Sequence, residues 1–233
     1  MKSAAVLPDE RKLFYDRFAS QFDAKMNRYD LETRLQVIFD ELLPRDLAGQ
    51  QLLDDGCGTG WFSKLACERG AQVTSLDVGE QLLAEVAKKC KSERVVGDAL
   101  QLVFPDRTFA VVVSSEMIEH TVDPRRALAE MFRVLKPGGT LALTCPNWTW
   151  KWGIHVASVL KLRPYAGYEN FPGYAELGRW LGELGFRVER HYGFHPWPFQ
   201  LRALHPLSRR VDRFGKLLGP LMINQAVLAH RPA

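Results

Sequence analysis

Three stretches of the sequence hold side chains whose types and spacing could do chemistry. The first is Ser115-Glu116-Met117-Ile118-Glu119-His120, where two carboxylates and an imidazole fall within six positions. An imidazole titrates near neutrality and suits a general base. The same Glu-x-x-Glu-His set could instead ligate a divalent ion such as Mg2+, which lowers the pKa of a bound hydroxyl. A purely structural role for His120 is the third reading. The second stretch is Asp54-Asp55-Gly56-Cys57-Gly58-Thr59-Gly60, a glycine-rich turn that lets backbone amides approach a ligand closely. The third is Asp77, 21 positions after Gly56, with Gly97-Asp98-Ala99 beyond it. A carboxylate at Asp77 can accept from both hydroxyls of a ribose, or cap the helix that follows. Asp98 can accept from an adenine amine while the Ala99 amide meets a ring nitrogen. The loop reads GxGxG, without the third glycine of a dinucleotide fingerprint. That spacing opposes NAD and fits a nucleoside cofactor without a pyrophosphate, S-adenosylmethionine (SAM).

These groups need a frame that delivers them to one edge. Short apolar runs near Gln51–Asp55, Gln72–Asp77, Arg94–Gly97, Phe109–Ser114 and Thr140–Cys145 read as strands. Helical periodicity separates them at Trp61–Arg69, Glu80–Lys89 and Pro124–Leu135, the alternation of a parallel sheet with crossover helices. Asp123 is placed to cap the last helix, Pro124 suits its first turn, and Gly138-Gly139 follow its end. A helix near Tyr174–Leu184 and strands near Arg187–Tyr192 and Asn224–His230 complete the pattern. Two amphipathic stretches precede it, one carrying Leu13, Phe14, Phe18 and Phe22, the other Leu31, Leu35, Ile38, Phe39 and Leu42.

The 233 residues suit a single domain, 1–233, with 46% hydrophobic and 25% charged residues. Cys57, Cys67, Cys90 and Cys145 form no CxxC pair, and a reduced, cytoplasmic setting fits them. Neither a spanning helix nor a secretory signal is expected. A net charge of +4 is a mild bias that does not by itself imply nucleic acid.

Taken together, these stretches resemble the class I SAM-dependent methyltransferases over roughly residues 10–195 and again at the last strand. The resemblance rests on Leu52 to Gly60, Ser75-Leu76-Asp77-Val78-Gly79, Val96-Gly97-Asp98-Ala99, Phe104 to Phe109, and Arg133-Val134-Leu135-Lys136-Pro137-Gly138-Gly139. It implies an α/β fold, a Rossmann-like, doubly wound, seven-stranded mixed sheet with N-terminal helices and an insertion after the fifth strand. It places Asp54, Gly56, Cys57, Gly58 and Gly60 at the cofactor, with the glycines along its methionine and ribose parts. Asp77 would take the ribose hydroxyls, Val78 would cover the adenine, and Asp98 and Ala99 would read its edge. Ser115 would contact the methionine moiety. Tyr15 matches an aromatic lid, or packs beside Phe18 and Phe22. One position departs from the pattern: Asp55 stands where the family has an aliphatic residue. A buried carboxylate there requires a partner or an outlet to the cofactor pocket.

Glu-x-x-Glu-His is also similar to a pattern in the O-methyltransferases of ubiquinone biosynthesis and of small-RNA 2′-O-methylation. The metal-dependent members would use Glu116, Glu119 and His120 as ligands. Methyl transfer to a small acceptor, a phenol or another hydroxyl on an apolar scaffold, is the first expectation. N- or C-methylation of a small molecule and nucleic-acid 2′-O-methylation are the alternatives. The arginines from Arg202 to Lys216 are too few, without an RNA-binding module, to favour nucleic acid. Segments 146–173 and 193–222 read as substrate-side caps. The first carries Trp148, Trp150 and Trp152, then Ile154, Val156, Val159 and Leu160 beside Lys151 and Lys161; a cap packed on its own domain is the first reading, and a lid over an apolar substrate or peripheral membrane contact is the alternative. Tyr165, Tyr168, Phe171 and Tyr174 can line an aromatic pocket. His155, His191, His195 and His205 lie far from the motif in sequence, and folding can bring one of them to it. A monomer and a homodimer are both compatible with the sequence.

Overall fold

The computed structural model describes residues 13–151 and 167–233. Seven strands form one sheet in the order β3-β2-β1-β4-β5-β7-β6. They are β1 (Gln51–Asp55), β2 (Gln72–Asp77), β3 (Glu93–Val96), β4 (Phe109–Ser115), β5 (Leu135–Pro146), β6 (Arg187–Phe194) and β7 (Asn224–His230). β1 to β5 pair in parallel, and β7 runs antiparallel between β5 and β6. The switch point, where β1 pairs with β2 on one side and β4 on the other, puts a crevice at the carboxyl ends of these strands.

Alternation along the central strands builds two cores. Leu53, Val112, Leu141, Leu143 and Val227 face one side with the apolar stripe of α5 (Pro124–Val134). Leu52, Val111, Val113, Ala142 and Ala226 face the other with Phe62 and Ala66 of α3 (Trp61–Glu68). Strands buried on both faces read as continuous apolar runs for this reason. Ala127, Leu128, Met131 and Val134 are fully buried, and each large side chain among them contributes about 1.5–3 kcal/mol. Asp123 accepts from the Arg126 amide at 3.0 Å, so the cap expected for α5 is present. Its far end differs from the expectation. β5 begins at Leu135 directly after the helix, and Gly138-Gly139 lie inside the strand. Gly138 takes φ +76° and donates to the Arg231 carbonyl, which ties that turn to the end of β7.

The N-terminal segment forms α1 (Ala19–Lys25) and α2 (Arg28–Gln36), and α2 continues as a wider π-type turn to Leu42. The remaining helices are α4 (Glu80–Ala87), α6 (Tyr174–Glu183), α7 (His205–Val211) and α8 (Gly215–Leu218). No helix among the described residues is long and apolar enough to cross a membrane. The expectations for Trp152, Ile154, His155, Val156, Val159, Leu160, Lys161 and Tyr165 fall outside the described residues.

Candidate active site

The turn after β1 is shaped by glycine. Gly56, Gly58 and Gly60 have φ of +77°, +52° and +87°, conformations that L side chains rarely adopt. A Cβ at Gly56 would overlap the Met117 side chain, while one at Gly58 would meet nothing within 4 Å. The loop is therefore packed from behind at Gly56 and open at Gly58. Asp77 holds this shape: it accepts from the Gly58 amide through Oδ2 and from the Gly79 amide through Oδ1, each at 2.9 Å. Burial raises its pKa, and the amide hydrogen bonds oppose that rise. Asp77 is thus fastened to the loop and to the turn before α4. The α4 amides of Gln81 and Leu82 instead receive the Asp16 carboxylate, at 2.7 and 3.1 Å, from the N-terminal segment.

A second tie holds α1 over the loop. Asp23 accepts from Thr59 Oγ1 at 2.6 Å and from Trp61 Nε1 at 3.0 Å, and pairs with Lys89 at 2.8 Å. Neither Asp16 nor Asp23 was singled out from the sequence; an acidic residue every seven positions before a glycine motif was the signal available. Tyr15 stands against Phe22 at 5.2 Å and against His120 at 5.5 Å between ring centroids. Tyr15 thus packs within the aromatic group and also meets the histidine of the Ser115–His120 stretch.

The other expected cofactor residues divide. Val78 is half-buried and Ala99 is buried. Asp98 accepts from the Leu100 amide at 2.9 Å. Asp54 is turned inward, accepting from Ser63 Oγ at 2.6 Å in a buried chain that continues through Ser75; burial pushes its pKa up to about 7. Cys57 is buried against Leu83 and Val86, and burial holds its thiol well above the ordinary value. Ser115 accepts from Arg34 Nη1 at 3.2 Å and shares a proton with Thr144 Oγ1 at 2.8 Å. For Asp55, the partner that one of its two readings expected is absent: it is fully buried, and neither carboxyl oxygen has a hydrogen-bond partner among the described residues. Burial first, then the charges of Asp54 and Asp77, push its pKa well above the carboxylate range, which favours the neutral acid in the fold.

In the Ser115–His120 stretch, Ile118–His120 form one 3-10 turn. The His120 Nδ1 lies 3.0 Å from the Tyr168 carbonyl. A carbonyl only accepts, so Nδ1 carries the proton and the neutral ring keeps its lone pair on Nε2. Glu119 Oε1 is 3.8 Å from Nε2. Glu116 turns elsewhere, accepting from Asn224 Nδ2 at 2.9 Å. Among the described residues no three His, Cys, Asp or Glu side chains gather in a way that could hold a metal ion. The set does not fit Mg2+, because Glu116 is drawn towards Asn224 and Arg34.

The fold and this edge define a class: an α/β protein with a nucleoside-cofactor crevice at a glycine turn between β1 and β2. An open Gly58 facing a buried acid at the end of β2 fits SAM, whose ribose is the only part needing a carboxylate there. Comparison with known proteins agrees. A family profile described as "Methyltransferase domain" matches residues 53–143. A ubiquinone biosynthesis O-methyltransferase of Pseudomonas entomophila is 32% identical over 179 residues, covering 71% of this chain and 76% of the relative. A malonyl-[acyl-carrier protein] O-methyltransferase of Serratia marcescens is 38% identical over 128 residues, covering 53% of this chain; the match spans 50% of that relative's length. Among solved structures, a SAM-dependent methyltransferase of Thermotoga maritima, described as a possible histamine N-methyltransferase, superposes with a TM-score of 0.70. It is 19% identical and covers 95% of this chain and 99% of its own. The chain belongs to the class I SAM-dependent methyltransferases.

Proposed function

We propose that this protein methylates a hydroxyl oxygen of a small, largely apolar acceptor, with a phenol or quinol as the first choice. The observation that carries this reading is the placement of His120. Met117 packs on Gly56, and the 3-10 turn that follows brings His120 beneath Tyr15 with its proton on Nδ1.

When bound, SAM would supply an electrophilic methyl group, with the thioether of S-adenosylhomocysteine as the leaving group. Gly56, Gly58, Gly60, Asp77, Val78, Asp98 and Ala99 are the residues proposed to hold it. Gly58 offers the open side of the loop, and Asp77 has a second lone pair on each oxygen for ribose hydroxyls. Asp54, Cys57 and Ser115 act behind the pocket, since their polar atoms are engaged within the protein. Tyr15 closes over the site with α1, which Asp23 fastens to the loop. His120 accepts the acceptor's proton at Nε2 while the Tyr168 carbonyl fixes the ring. The reaction is proposed to proceed without Mg2+, and full turnover in EDTA is the expected result.

The test is a labelled-methyl transfer screen over phenols, quinols, amines and sugars. Label on a phenolic or quinolic oxygen supports the reading; label only on nitrogen or carbon overturns it. Thermal stabilisation by S-adenosylhomocysteine (SAH) and not by NAD is the accompanying check on the cofactor.

The segment 193–222 is proposed as a cap that meets an anionic membrane surface, from which an apolar acceptor would enter. Of nine exposed large hydrophobic residues among those described, five are Leu201, Leu207, Phe214, Leu217 and Leu221. Arg202, Arg209, Arg210, Arg213 and Lys216 are exposed beside them, while Asp212 turns inward to the His195 amide. Apolar side chains among cations suit a lipid interface better than nucleic acid, which would leave them unburied. Co-sedimentation with phosphatidylserine vesicles that is lost in Leu217→Glu supports this, and equal recovery with and without vesicles refutes it. A cytoplasmic setting is proposed from four free thiols.

A further inference from the structure

A second group of buried polar atoms lies beyond the glycine loop and is used by none of the roles above. It centres on His195, which follows β6 and is fully buried. Its Nε2 stands 3.3 Å from Asp30 Oδ1, too poorly aligned for a hydrogen bond, and its Nδ1 has no partner. Arg34 Nε donates to the other oxygen of Asp30 at 2.9 Å, and the same guanidinium reaches Ser115 at the end of β4. Glu116 and Asn224 meet on the other side. One helix and three strands of distant sequence thus converge at the carboxyl edge.

Six polar side-chain atoms here are shielded from solvent and unpartnered: Tyr29 Oη, Asp30 Oδ1, Glu116 Oε1, His195 Nδ1, Trp197 Nε1 and Asn224 Oδ1. Each such atom costs about 1–3 kcal/mol, and native proteins leave few of them. The backbone marks the same place. Glu116 and His195 have φ of +54° and +58°, two of the three non-glycine residues with positive φ among those described. Strain of this kind persists where the surroundings impose it, commonly at ligand sites. The site adjoins the transfer chemistry, since Ser115 and Glu116 lead directly into Met117 on Gly56.

Charge decides what fits. The carboxyls of Asp30, Glu116, Glu119 and Asp212 surround one guanidinium, Arg34, and the His195 imidazole. Arg34 is already committed to Asp30 and Ser115. An incoming carboxylate or phosphate would meet the ionised Asp30 carboxylate, and as the pH rises through neutrality those of Asp212 and Glu116 as well, out of water where repulsion is strongest. A hydroxyl or an amine would instead donate to Asp30 Oδ1, Glu116 Oε1 or Asn224 Oδ1, and a hydroxyl oxygen could also accept from Tyr29 or Trp197.

We infer that this polar cluster is the recognition subsite for the polar end of the methyl acceptor, and that it admits hydroxyl and amine donors while rejecting carboxylates and phosphates. The inference rests on the methyltransferase reading and narrows it.

Ligand-observed NMR with catechol, benzylamine and benzoate, with and without SAH, tests it. Catechol and benzylamine are expected to bind at least about tenfold more tightly than benzoate. Glu116→Gln should narrow that gap, and Tyr29→Phe should weaken catechol alone; melting curves establish that both variants fold. Benzoate binding as tightly as catechol, a gap indifferent to both variants, or no binding by any probe would overturn the subsite. Failure of SAH to bind, with the probe pattern intact, would instead sink the cofactor reading.

Discussion

Replacing Asp55 by leucine is expected to stabilise the protein, most of all at neutral pH. Leucine keeps the branching of aspartate but has bulkier ends, so repacking around this fully buried position offsets part of the gain. In the fold Asp55 keeps its proton at pH values where the unfolded chain has lost it. Its contribution is fully present below about pH 3.9, and is lost at about 1.4 kcal/mol per pH unit as the pH climbs towards the raised folded-state pKa. Even as a neutral acid it leaves buried polar atoms unpaired, at about 1–3 kcal/mol. Leucine removes both penalties. The gain is therefore expected to be larger at pH 7 than at pH 4.5, where most of the ionisation share is absent. Urea unfolding of both proteins at the two pH values, with SAH titrations alongside, measures each part. A leucine variant no more stable at pH 7, with the wild-type pH slope, would refute the account. A fall in SAH affinity would show that the carboxyl serves the cofactor after all.

Other outcomes follow from the same geometry. Glu116, pushed up to about 7 by burial, should give the wild type a stability that falls from pH 5 to 7; Glu116→Gln should flatten that stretch in urea titrations. Asp77→Asn can satisfy at most one of the two amides that Asp77 now holds, so SAH affinity measured by calorimetry should drop at least about tenfold. Asp16→Ala removes the cap from α4 and should cost about 1 kcal/mol in thermal unfolding, with loosened protection of the N-terminal segment in hydrogen exchange. His120→Ala should lower kcat about 10²–10⁴-fold while leaving the KM for SAM nearly unchanged.

The frame was legible in the chain because its signals are local. β1, β2 and β7 have the bounds their apolar runs suggest, and α5 is capped by the Asp123-Pro124 pair that announces it. The glycine turn and its tie to Asp77 were legible for the same reason, since they lie within 22 residues. The polar subsite was not. Asp30 and Arg34 sit four apart on a helix, a spacing that usually means a solvated ion pair. Only the approach of His195 and Ser115 buries them, and sequence periodicity carries no trace of that approach. The histidines distant from the motif were noted, yet nothing in the chain distinguished His195 from His191, which bonds Gln225, or His205, which stacks on Tyr29. Asp55 misled for a different reason: a lone acid in an apolar run invites a search for a partner, and the fold accepts a neutral acid instead.

The place of β7 also sets an order of assembly. β7 follows β6 in the chain but lies between β5 and β6 in the sheet. β1 to β5 can therefore pair as they emerge, bringing together the glycine turn, Asp77 and Met117. β6 has no neighbour until β7 arrives, and the two must join as one hairpin. His195 lies at the end of β6 and Asn224 at the start of β7, so both reach Asp30 and Glu116 only with that hairpin. A nascent chain would thus be able to bind its cofactor before it could discriminate among acceptors.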